Sequence, residues 1–313
     1  MSSPLITVLT PTYNHEKFIG NCVRSVLSQT FNDWEQIIVD DGSTDNTEPV
    51  IEKFDDERIR YVRQSHVGIE KLSETYNRGL KMARGKLIAI LEGDDMFPKK
   101  KLELQACSLD GDTVLSFGRY ILVDENHKYL GYFPLNSRRY LRTTDWLSPL
   151  LVSCFISSPT VMIKKDALLK VGGFIQPVGS NCVDQATYLE LALVGKFKFI
   201  DETLGIWVKH GDNWSDRNLN SITFLNYGLT FCRKHNIPID WKAIRAQHGR
   251  DLFHIGRHQL LNGMRAEASL NFKQSFTLSS ASGKVKALVG LGMSKTRMDF
   301  EGIANWLGRP TER

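Results

Sequence analysis

Two acidic clusters, each placed directly after an apolar run, are the part of this chain best suited to chemistry. The run at residues 37–39 is followed by Asp40 and Asp41, and the run at residues 87–91 is followed by the acidic residues 92–95. Short runs rich in Ile, Val and Leu predict buried parallel strands, and ligands of such sheets bind at the carboxyl ends of the strands. Carboxylates that meet there repel each other unless a divalent metal ion or a basic ligand lies between them. The sequence therefore predicts a metal-dependent enzyme acting on a phosphorylated or nucleotide-linked substrate.

An alternation of strand and helix patterns along the first half of the chain must position these acids. Four short apolar runs are predicted as strands, at residues 5–10, 34–39, 58–63 and 87–91. Helical patterns with one apolar face separate these runs, at residues 19–27, 44–54 and 72–83. Such alternation predicts a parallel sheet with helices on both faces.

Beyond residue 95 the pattern changes to a mixture of strands and helices. A strand pair is predicted at residues 113–124 and 129–133, which indicates a mixed sheet. The further predicted segments are helices at 143–151 and 183–194 and strands at 160–164, 197–200 and 204–209. From residue 218 onward the pattern is helical, with one break at 279–283. We therefore expect an α/β domain at residues 1–214 and a helical C-terminal extension at residues 215–313.

Composition excludes several classes of protein. The chain of 313 residues is 42% hydrophobic and 24% charged, which is ordinary for a globular protein and argues against disorder and fibrous structure. Residues 1–9 lack the basic and apolar segments of a secretory signal, and no apolar run reaches the ~18 residues of a transmembrane helix. The five cysteines are dispersed without a Cys-x-x-Cys pair, which argues against a disulfide framework and a zinc site. We expect a cytoplasmic protein.

Charge is distributed unevenly between the two expected parts. Residues 1–214 contain 25 Lys and Arg against 28 Asp and Glu, a net charge of −3, whereas residues 215–313 contain 15 against 7, a net charge of +8. The basic part predicts either a surface that meets an anionic partner, such as phospholipid headgroups, or a solvated basic helix face. Nucleic acid is not an expected partner, because the basic residues are not interleaved with a recognised binding motif.

Residues 40–45 have two simpler explanations. A haloacid-dehalogenase phosphatase also places an acidic motif after a strand, but its nucleophilic Asp would fall on Val39, which excludes that class. Asp41 and Gly42 could instead form only a turn, with Ser43 or Thr44 capping the following helix. A turn and a cap do not explain two carboxylates at the end of a strand.

Several motifs along the chain occur together in one order, at residues 11–14, 28–31, 38–45, 77–80, 83–85 and 91–95. In order and spacing they resemble the family 2 inverting glycosyltransferases with the GT-A fold, and the resemblance covers about residues 4–214. It implies a GT-A type nucleotide-diphospho-sugar transferase fold, with a mostly parallel central sheet flanked by helices. The helical C-terminal extension is not covered by the resemblance.

The resemblance implies a nucleotide-sugar site along the first two strands. In the family the nucleotide base lies against the loop of the first strand, which here is formed by Pro11, Thr12 and Tyr13. Tyr13 would offer an aromatic face, and Asp41 a carboxylate for the imide N–H of uracil, so that a UDP-sugar is the expected donor. Lys71 stands where some members carry a base- or phosphate-facing Arg.

The resemblance also implies a metal site at the family's Asp-x-Asp position. Here Asp94, joined by Asp95, would hold Mg²⁺ or Mn²⁺ bridging the donor diphosphate, because oxygen ligands suit such hard cations. Glu92 replaces the first Asp, which meets the ribose in the family, and Gly93 separates it from Asp94. His210 follows the last predicted strand, where family members place a His that ligates the metal or hydrogen-bonds a phosphate.

A general base for the acceptor hydroxyl is implied at Asp184. This residue matches the second position of the family's Glu-Asp pair, while Val183 replaces the Glu. The simpler alternative is that Asp184 only favours the start of a helix, through its charge.

The function implied is transfer of a hexosyl or N-acetylhexosaminyl group to a saccharide or lipid-linked glycan acceptor in bacterial surface polysaccharide assembly. The protein would then lie in the cytoplasm or peripherally on the inner face of the plasma membrane. The basic C-terminal helices could meet that membrane, cap the catalytic domain or form a homodimer.

Two other functions compete with this one. A catalytically silent sugar-nucleotide-binding or scaffold protein of the same fold is suggested by Glu92 and Val183. A nucleotidyltransferase would need a Gly-rich phosphate loop with a Lys after the first strand, and residues 11–17 do not provide one.

Overall fold

The first half of the chain folds as alternating strands and helices in the computed structural model. This structure describes residues 3–134, 140–141, 143–211, 220–279 and 281–295. The strands are β1 (Ile6–Thr12), β2 (Trp34–Asp40), β3 (Ile59–Arg63) and β4 (Leu87–Ile90). The helices between them are α1 (Ile19–Leu27), α2 (Thr47–Ile51) and α3 (Leu72–Met82). The predicted alternation is confirmed, and α2 is shorter than predicted.

The second half adds shorter helices and a second group of strands. The helices are α4 (Lys101–Ala106), α5 (Leu147–Val152), α6 (Lys165–Lys170) and α7 (Asp184–Ala192). The strands are β5 (Thr113–Asp124), β6 (Tyr129–Phe133), β7 (Met162–Lys164) and β8 (Lys196–Lys209), and a 3-10 helix (Ser158–Thr160) precedes β7. The sequence patterns did not predict α4 and α6, which are only six residues long.

One central sheet contains all of these strands, in the order β3-β2-β1-β4-β7-β5-β6, with β8 paired to β5. The part from β3 to β4 is parallel, β7 runs antiparallel between β4 and β5, and β8 is parallel to β5. The register places Thr12 beside Asp40, so the loops after β1 and β2 leave the sheet side by side. The predicted mixed sheet is confirmed.

β8 is a single long strand, whereas the sequence pattern predicted two strands separated at residues 201–203. The pairing with β5 shifts register around Gly118 and Arg119, and this irregularity accommodates the polar residues without ending the strand. Arg119 donates a hydrogen bond to the carbonyl of Asp201. The two-strand prediction was wrong because charged residues interrupt an apolar pattern without interrupting strand pairing.

The core beneath the sheet forms from the apolar face predicted for α1. Ile19, Cys22, Val23 and Val26 are fully buried and pack in one cluster with strand residues such as Ile38. Their i, i+3, i+4, i+7 spacing places them on one side of the helix. This packing fixes α1 behind the loop that follows β1.

The described residues beyond the sheet form four helices: α8 (Asn220–Lys234), α9 (Trp241–Leu261), α10 (Arg265–Leu278) and α11 (Ala281–Lys295). The predicted single break was wrong, because the chain also leaves the helical conformation between α8 and α9 and between α9 and α10. Within the described ranges, no helix is both long enough and apolar enough to cross a bilayer.

Two compact units divide the chain, Met1–Tyr227 and Gly228–Arg313. In the second unit, α9, α10 and α11 share a small core of Leu260, Ala268, Phe272 and Met293. The predicted domain boundary after residue 214 lies among residues 212–219, outside the described residues, and stays a prediction.

Candidate active site

The loop after β2 is held against the loop after β3 by the carboxylate of Asp41. The backbone N–H of Asp41 donates a hydrogen bond to the carbonyl oxygen of Thr12 over 2.9 Å. Its side chain accepts the backbone N–H groups of Val67 and Gly68, at 2.9 and 3.0 Å, and the amide of Gln64 at 2.8 Å. Three accepted hydrogen bonds occupy most of the lone pairs of a carboxylate. Asp41 therefore orders the loop at residues 64–68, and its contact with a uracil base stays a prediction.

Tyr13 lies at the rim of the same region and stacks on a residue that the sequence patterns did not indicate. Its ring is 37% exposed and lies 4.3 Å, centroid to centroid, from the imidazole of His66 at an interplanar angle of 25°. The ring Nδ1 of His66 lies 2.8 Å from the carbonyl oxygen of Asp41. Gly42 permits this approach, since it has φ of +74° and a Cβ there would lie 2.9 Å from the backbone nitrogen of His66.

The remaining predicted nucleotide residues lie around this loop pair. The carbonyl of Pro11 accepts the backbone N–H of Gly93 over 3.0 Å, which ties the end of β1 to the acidic loop after β4. Lys71 lies on the surface and forms an ion pair with Glu74 at 3.5 Å. Its role towards a base or phosphate stays a prediction.

Asp94 lies between two imidazoles at the carboxyl edge of the sheet. Its Oδ2 is 3.1 Å from Nε2 of His210 and 3.9 Å from Nε2 of His15. Burial alone would raise the pKa of Asp94, but the nearby His15 and the hydrogen bond with His210 outweigh burial and lower it. Asp94 is therefore the predicted acid that the structure favours as an anion.

The two imidazoles are held by the elements around them. The ring of His15 is within 3.1 Å of the Thr12 hydroxyl through Nδ1, and the ring of His210 stacks on Phe18 with centroids 4.3 Å apart. A Cβ on Gly93 would lie 2.8 Å from Nδ1 of His15, so only glycine leaves room for that ring. His15 was missed in the sequence because nothing in its local pattern marks it. Its position two residues after Tyr13 was the available signal.

Asp95 occupies a different environment from its neighbour. Its side chain is 2% exposed, and Oδ1 accepts the backbone N–H of Val208 in β8 over 3.0 Å. Burial raises the pKa of Asp95 well above the ordinary carboxyl value, and the charges of Asp94 and Glu92 raise it further. The carboxylate thus fastens the loop after β4 to β8, and its role as a metal ligand stays a prediction.

Asp184 is the first residue of α7, and each of its carboxylate oxygens accepts a hydrogen bond from a hydroxyl group. Ser158 donates to Oδ2 over 3.1 Å, and Tyr188 donates to Oδ1 over a longer 3.4 Å. Burial raises the pKa of Asp184 to about 6, although both hydroxyls act in the opposite direction. At neutral pH the group is therefore ionised and can accept a proton. The sequence patterns did not indicate Ser158, which lies in the 3-10 helix before β7.

The negative charge of Asp184 acts on Glu92, whose carboxyl group has a hydrogen-bond donor of its own. Tyr76 of α3 donates to Oε1 of Glu92 over 2.6 Å. Burial raises the pKa of Glu92 to about 8, and the negative charges of Asp184 and Asp94 raise it further. Both charges therefore favour the protonated form of Glu92. The sequence pattern assigned Tyr76 to an apolar helix face, and the ring is indeed fully buried; only the partner of its hydroxyl was missed.

A divalent cation fits the donors around Asp94. In the part of the chain that the structure describes, no group of three or more His, Cys, Asp or Glu side chains encloses a point suitable for a metal ion. A nucleotide-linked ion needs no such enclosure, because Mg²⁺ in such sites is held by one or two carboxylates, substrate phosphates and water. The carboxylate of Asp94 and the imidazole of His210 provide oxygen and nitrogen donors of the kinds that Mn²⁺ and Mg²⁺ accept.

The predicted site residues therefore fall into three groups on adjoining loops. Tyr13 and Asp41 line the loop pair after β1 and β2, and Asp94 lies with His210. Asp184 acts on Glu92 through its charge. Of these groups, Asp184 is a partly exposed carboxylate with a pKa raised to about 6, near the range in which a side chain exchanges protons at neutral pH.

Comparison with known proteins finds a family model that matches the chain. The family model described as "Glycosyl transferase family 2" matches residues 7–172. The chain is 33% identical over 195 residues to TuaG of Bacillus subtilis (strain 168), named as a putative teichuronic acid biosynthesis glycosyltransferase, and the match covers 61% of this chain and 73% of that protein.

Two Escherichia coli proteins are similar in the same way. The chain is 33% identical over 224 residues to chondroitin synthase, covering 69% of this chain but only 31% of that protein. It is 30% identical over 169 residues to WfgD, a UDP-Glc:alpha-D-GlcNAc-diphosphoundecaprenol beta-1,3-glucosyltransferase. This match covers 54% of this chain and 63% of WfgD. The chain thus spans about a third of the length of the synthase.

Solved structures share the fold at low sequence identity. TarS residues 1–349 from S. aureus, in complex with UDP-GlcNAc, align with a TM-score of 0.56 at 16% identity, over 97% of this chain and 92% of that one. The mannosyltransferase PcManGT from Pyrobaculum calidifontis, in complex with GDP-Man and Mn²⁺, aligns with a TM-score of 0.61 at 16% identity. The alignment covers 98% of this chain and 84% of PcManGT. The GT-A type fold with a helical C-terminal region is confirmed.

Proposed function

Because the chain belongs to glycosyl transferase family 2, we propose that it is an inverting enzyme that moves a sugar from a UDP-sugar to a hydroxyl group of a glycan acceptor. The observation that carries this proposal is Asp184. It is a partly exposed carboxylate, held by two hydroxyl groups, with a pKa raised to about 6 by burial. A carboxylate in that state accepts a proton at neutral pH.

The proton transfer starts the reaction in this proposal. Asp184 takes the proton of the acceptor hydroxyl while the hydroxyl oxygen attacks the anomeric carbon of the donor. The bond between that carbon and the diphosphate oxygen breaks, and its electron pair leaves with the nucleoside diphosphate. Attack from the face opposite the leaving group inverts the anomeric configuration, so no enzyme nucleophile is required. Ser158 and Tyr188 orient the carboxylate for this step.

The leaving diphosphate belongs beside Asp94 in this proposal. Asp94 and His210 would hold a Mn²⁺ or Mg²⁺ ion, with Asp95 as the further ligand implied by the family motif. Such an ion, when bound, neutralises charge that develops on the leaving group. His15 also faces Asp94, at 3.9 Å, and so lies within reach of the same phosphates. PcManGT, which shares the fold, was solved in complex with Mn²⁺, and this supports a divalent ion here.

The donor is proposed as a UDP-sugar. Pro11, Thr12 and Tyr13 would line the base, Asp41 would accept the imide N–H of uracil, and Lys71 would face the base or a phosphate. Glu92 and Gly93 would lie along the ribose and diphosphate. TarS was solved in complex with UDP and with UDP-GlcNAc, whereas PcManGT was solved in complex with GDP-Man. The fold therefore accepts more than one base, and the choice depends on the loops after β1 to β3.

The acceptor is proposed as a saccharide or a lipid-linked glycan of a bacterial surface polysaccharide. Relatives named for teichuronic acid biosynthesis and for a diphosphoundecaprenol substrate support that class. The protein would act in the cytoplasm, peripherally on the inner face of the plasma membrane, and a homodimer is the alternative use of its C-terminal helices.

A catalytically silent protein of the same fold is the second candidate. It is favoured by Val183, an apolar side chain 2% exposed at the position where the family places a Glu. Such a protein would bind a UDP-sugar without turning it over.

A turnover assay separates the two candidates, and a binding measurement tests the metal assignment. The protein is incubated with UDP-glucose, UDP-GlcNAc or GDP-mannose and Mn²⁺, with and without a glycan acceptor extract, and nucleoside diphosphate release and product configuration are measured. We expect UDP release that rises with acceptor and a product of inverted configuration. The Asp94→Ala variant should remain folded but lose its Mn²⁺-dependent affinity for UDP, which calorimetry measures. Binding without turnover would establish the silent candidate, and a retained configuration would overturn the mechanism.

A further inference from the structure

The last described helix, α11, is apolar on both of its faces. Its inner face is buried, with Ala287 fully inaccessible and Met293 3% exposed in the core of the second unit. Its outer face carries Val285, Leu288 and Val289, which are 62%, 53% and 45% exposed. We call these three residues the apolar stripe. Exposed aliphatic side chains grouped on one face of a helix indicate a surface that meets a partner.

Lysines border this stripe on both sides. Val285, Leu288 and Val289 follow the i, i+3, i+4 spacing that places residues on one face of a helix. At 3.6 residues per turn, Lys284 and Lys295 lie along one border of that face and Lys286 lies along the other. All three lysines are exposed. Lysine stems can cover apolar surface while the ammonium group points outward to an anion.

The charge of the surrounding helices has the same sign. Residues 241–279 and 281–295 contain nine Lys and Arg and two Asp and Glu, and they include the whole of α9, α10 and α11. An exposed aliphatic face framed by cations is complementary to the interface of an anionic bilayer, which offers acyl chains below a layer of negative headgroups. A soluble acidic protein would match the lysines but offers no reason for a stripe of aliphatic side chains.

We propose that the apolar stripe and its bordering lysines dock this enzyme on an anionic lipid bilayer. The stripe enters the boundary between headgroups and acyl chains, and Lys284, Lys286 and Lys295 contact the anionic headgroups. The inference rests on the proposed function in one respect, because docking holds the catalytic unit near acceptors carried by lipids.

Vesicle co-sedimentation of the full-length protein tests the docking surface without any use of catalysis. Vesicles of phosphatidylcholine alone are compared with vesicles of two parts phosphatidylcholine to one part phosphatidylglycerol. We expect binding to the anionic vesicles, weakened by added salt because headgroup attraction is screened. Val285→Ser/Leu288→Ser/Val289→Ser should lower affinity about tenfold or more. Lys284→Gln/Lys286→Gln/Lys295→Gln should lower it about fivefold for each lysine removed.

Control variants carry substitutions of the same two kinds on the catalytic unit. Leu169→Ser removes an aliphatic side chain that is 54% exposed, and Lys53→Gln/Lys81→Gln/Lys100→Gln removes three exposed lysines. Both controls should bind vesicles as the wild type does. Circular dichroism establishes that each variant is folded. UDP release with a soluble acceptor reports separately on the proposed function.

Three results would overturn the docking proposal. The wild type could fail to bind anionic vesicles, or the stripe variant could bind them as tightly as the wild type does. Light scattering could instead show a wild-type dimer that becomes monomeric in the stripe variant, with vesicle binding unchanged, which would assign the stripe to a second copy of the chain. Loss of binding in both variants, with controls and UDP release intact, supports the proposal.

Discussion

Asp184 is the residue on which the proposed chemistry depends most, and its surroundings make two demands that conflict. The structure holds it with Ser158 and Tyr188, yet burial raises its pKa to about 6. Folding therefore favours the protonated form, whereas catalysis requires the ionised form. Such conflicts between stability and activity are common at active sites.

Asp184→Asn should lower the transfer rate by ~10²–10⁴-fold, because an amide of the same size cannot accept the acceptor's proton. UDP and metal binding should be nearly unchanged, since our proposal assigns Asp184 to the acceptor hydroxyl and not to the donor. Steady-state rates and UDP calorimetry on the same preparation measure the two effects. Loss of UDP affinity would instead assign Asp184 to the donor site, and unchanged turnover would place the base elsewhere.

The same variant should be more stable than the wild type at neutral pH. Because the folded-state pKa of Asp184 lies above the unfolded value, the protonated carboxyl stabilises the fold at low pH, and this contribution is lost as pH rises through about 6. We expect Asp184→Asn to raise the free energy of unfolding by on the order of 1 kcal/mol at pH 8 and not at pH 4. Denaturant unfolding at both pH values measures it, with the exposed Asp110→Asn as control. An equal effect at both pH values would contradict the assignment.

Ser158 should set the pH at which the base becomes active. Its hydroxyl stabilises the ionised form of Asp184 and so lowers the pKa of that carboxyl. Ser158→Ala should therefore shift the acid limb of the rate profile to higher pH by about one unit. Ser157→Ala is the control, and its profile should match that of the wild type. A lower rate at every pH without a shift would mean that Ser158 serves only packing.

At the scale of elements, the site depends on how closely helices and loops approach the sheet. Asp95 fastens the loop after β4 to β8 through Val208, which fixes Asp94 beside His210. α3 supplies Tyr76 to the carboxyl group of Glu92, and it lies close to β1 and β2 because Gly79 has no side chain.

Gly79→Ala should destabilise the fold by about 1–3 kcal/mol. A Cβ at this position would press into the side chain of Leu9 and lie 3.1 Å from Cγ2 of Val39, so α3 would have to move outward. Gly292→Ala in α11 is the matched helical control. No atom lies within 4 Å of its added Cβ, and alanine favours a helix by up to about 1 kcal/mol. Urea unfolding measures the free energy of unfolding of both variants. Equal values for the two variants would contradict this account of α3.

At the scale of the whole molecule, the two units have separate tasks in our proposals. The acids of the site lie within Met1–Tyr227, and the apolar stripe lies within Gly228–Arg313. A ligand of one unit should then protect that unit alone.

Hydrogen exchange should show this separation. UDP with Mn²⁺ should slow exchange at the loops around residues 12–15, 41–43, 66–68 and 92–95, and leave residues 241–295 unchanged. Anionic vesicles should slow exchange in α11 and leave the donor loops unchanged. Protection of α11 by UDP alone would contradict the division of tasks.

The sequence by itself determined the family and the alternation of strands and helices in the first half of the chain. Alternating apolar runs and amphipathic helices are local signals, because burial of one face imposes a period on consecutive residues. The acids at the ends of β2 and β4 could therefore be assigned to one edge of a parallel sheet before any coordinates were known.

Only the tertiary structure decided which groups meet at that edge. Asp94 and His210 are 116 residues apart, and their contact depends on β8 running beside β5. His15 has no marking pattern, and its neighbours were decided by the turn after β1. The neighbouring acids Asp94 and Asp95 have the same side chain, yet one faces two imidazoles and the other a backbone N–H. A periodic pattern specifies which side of an element is buried, whereas the partner of each polar group follows from loop geometry that no period encodes.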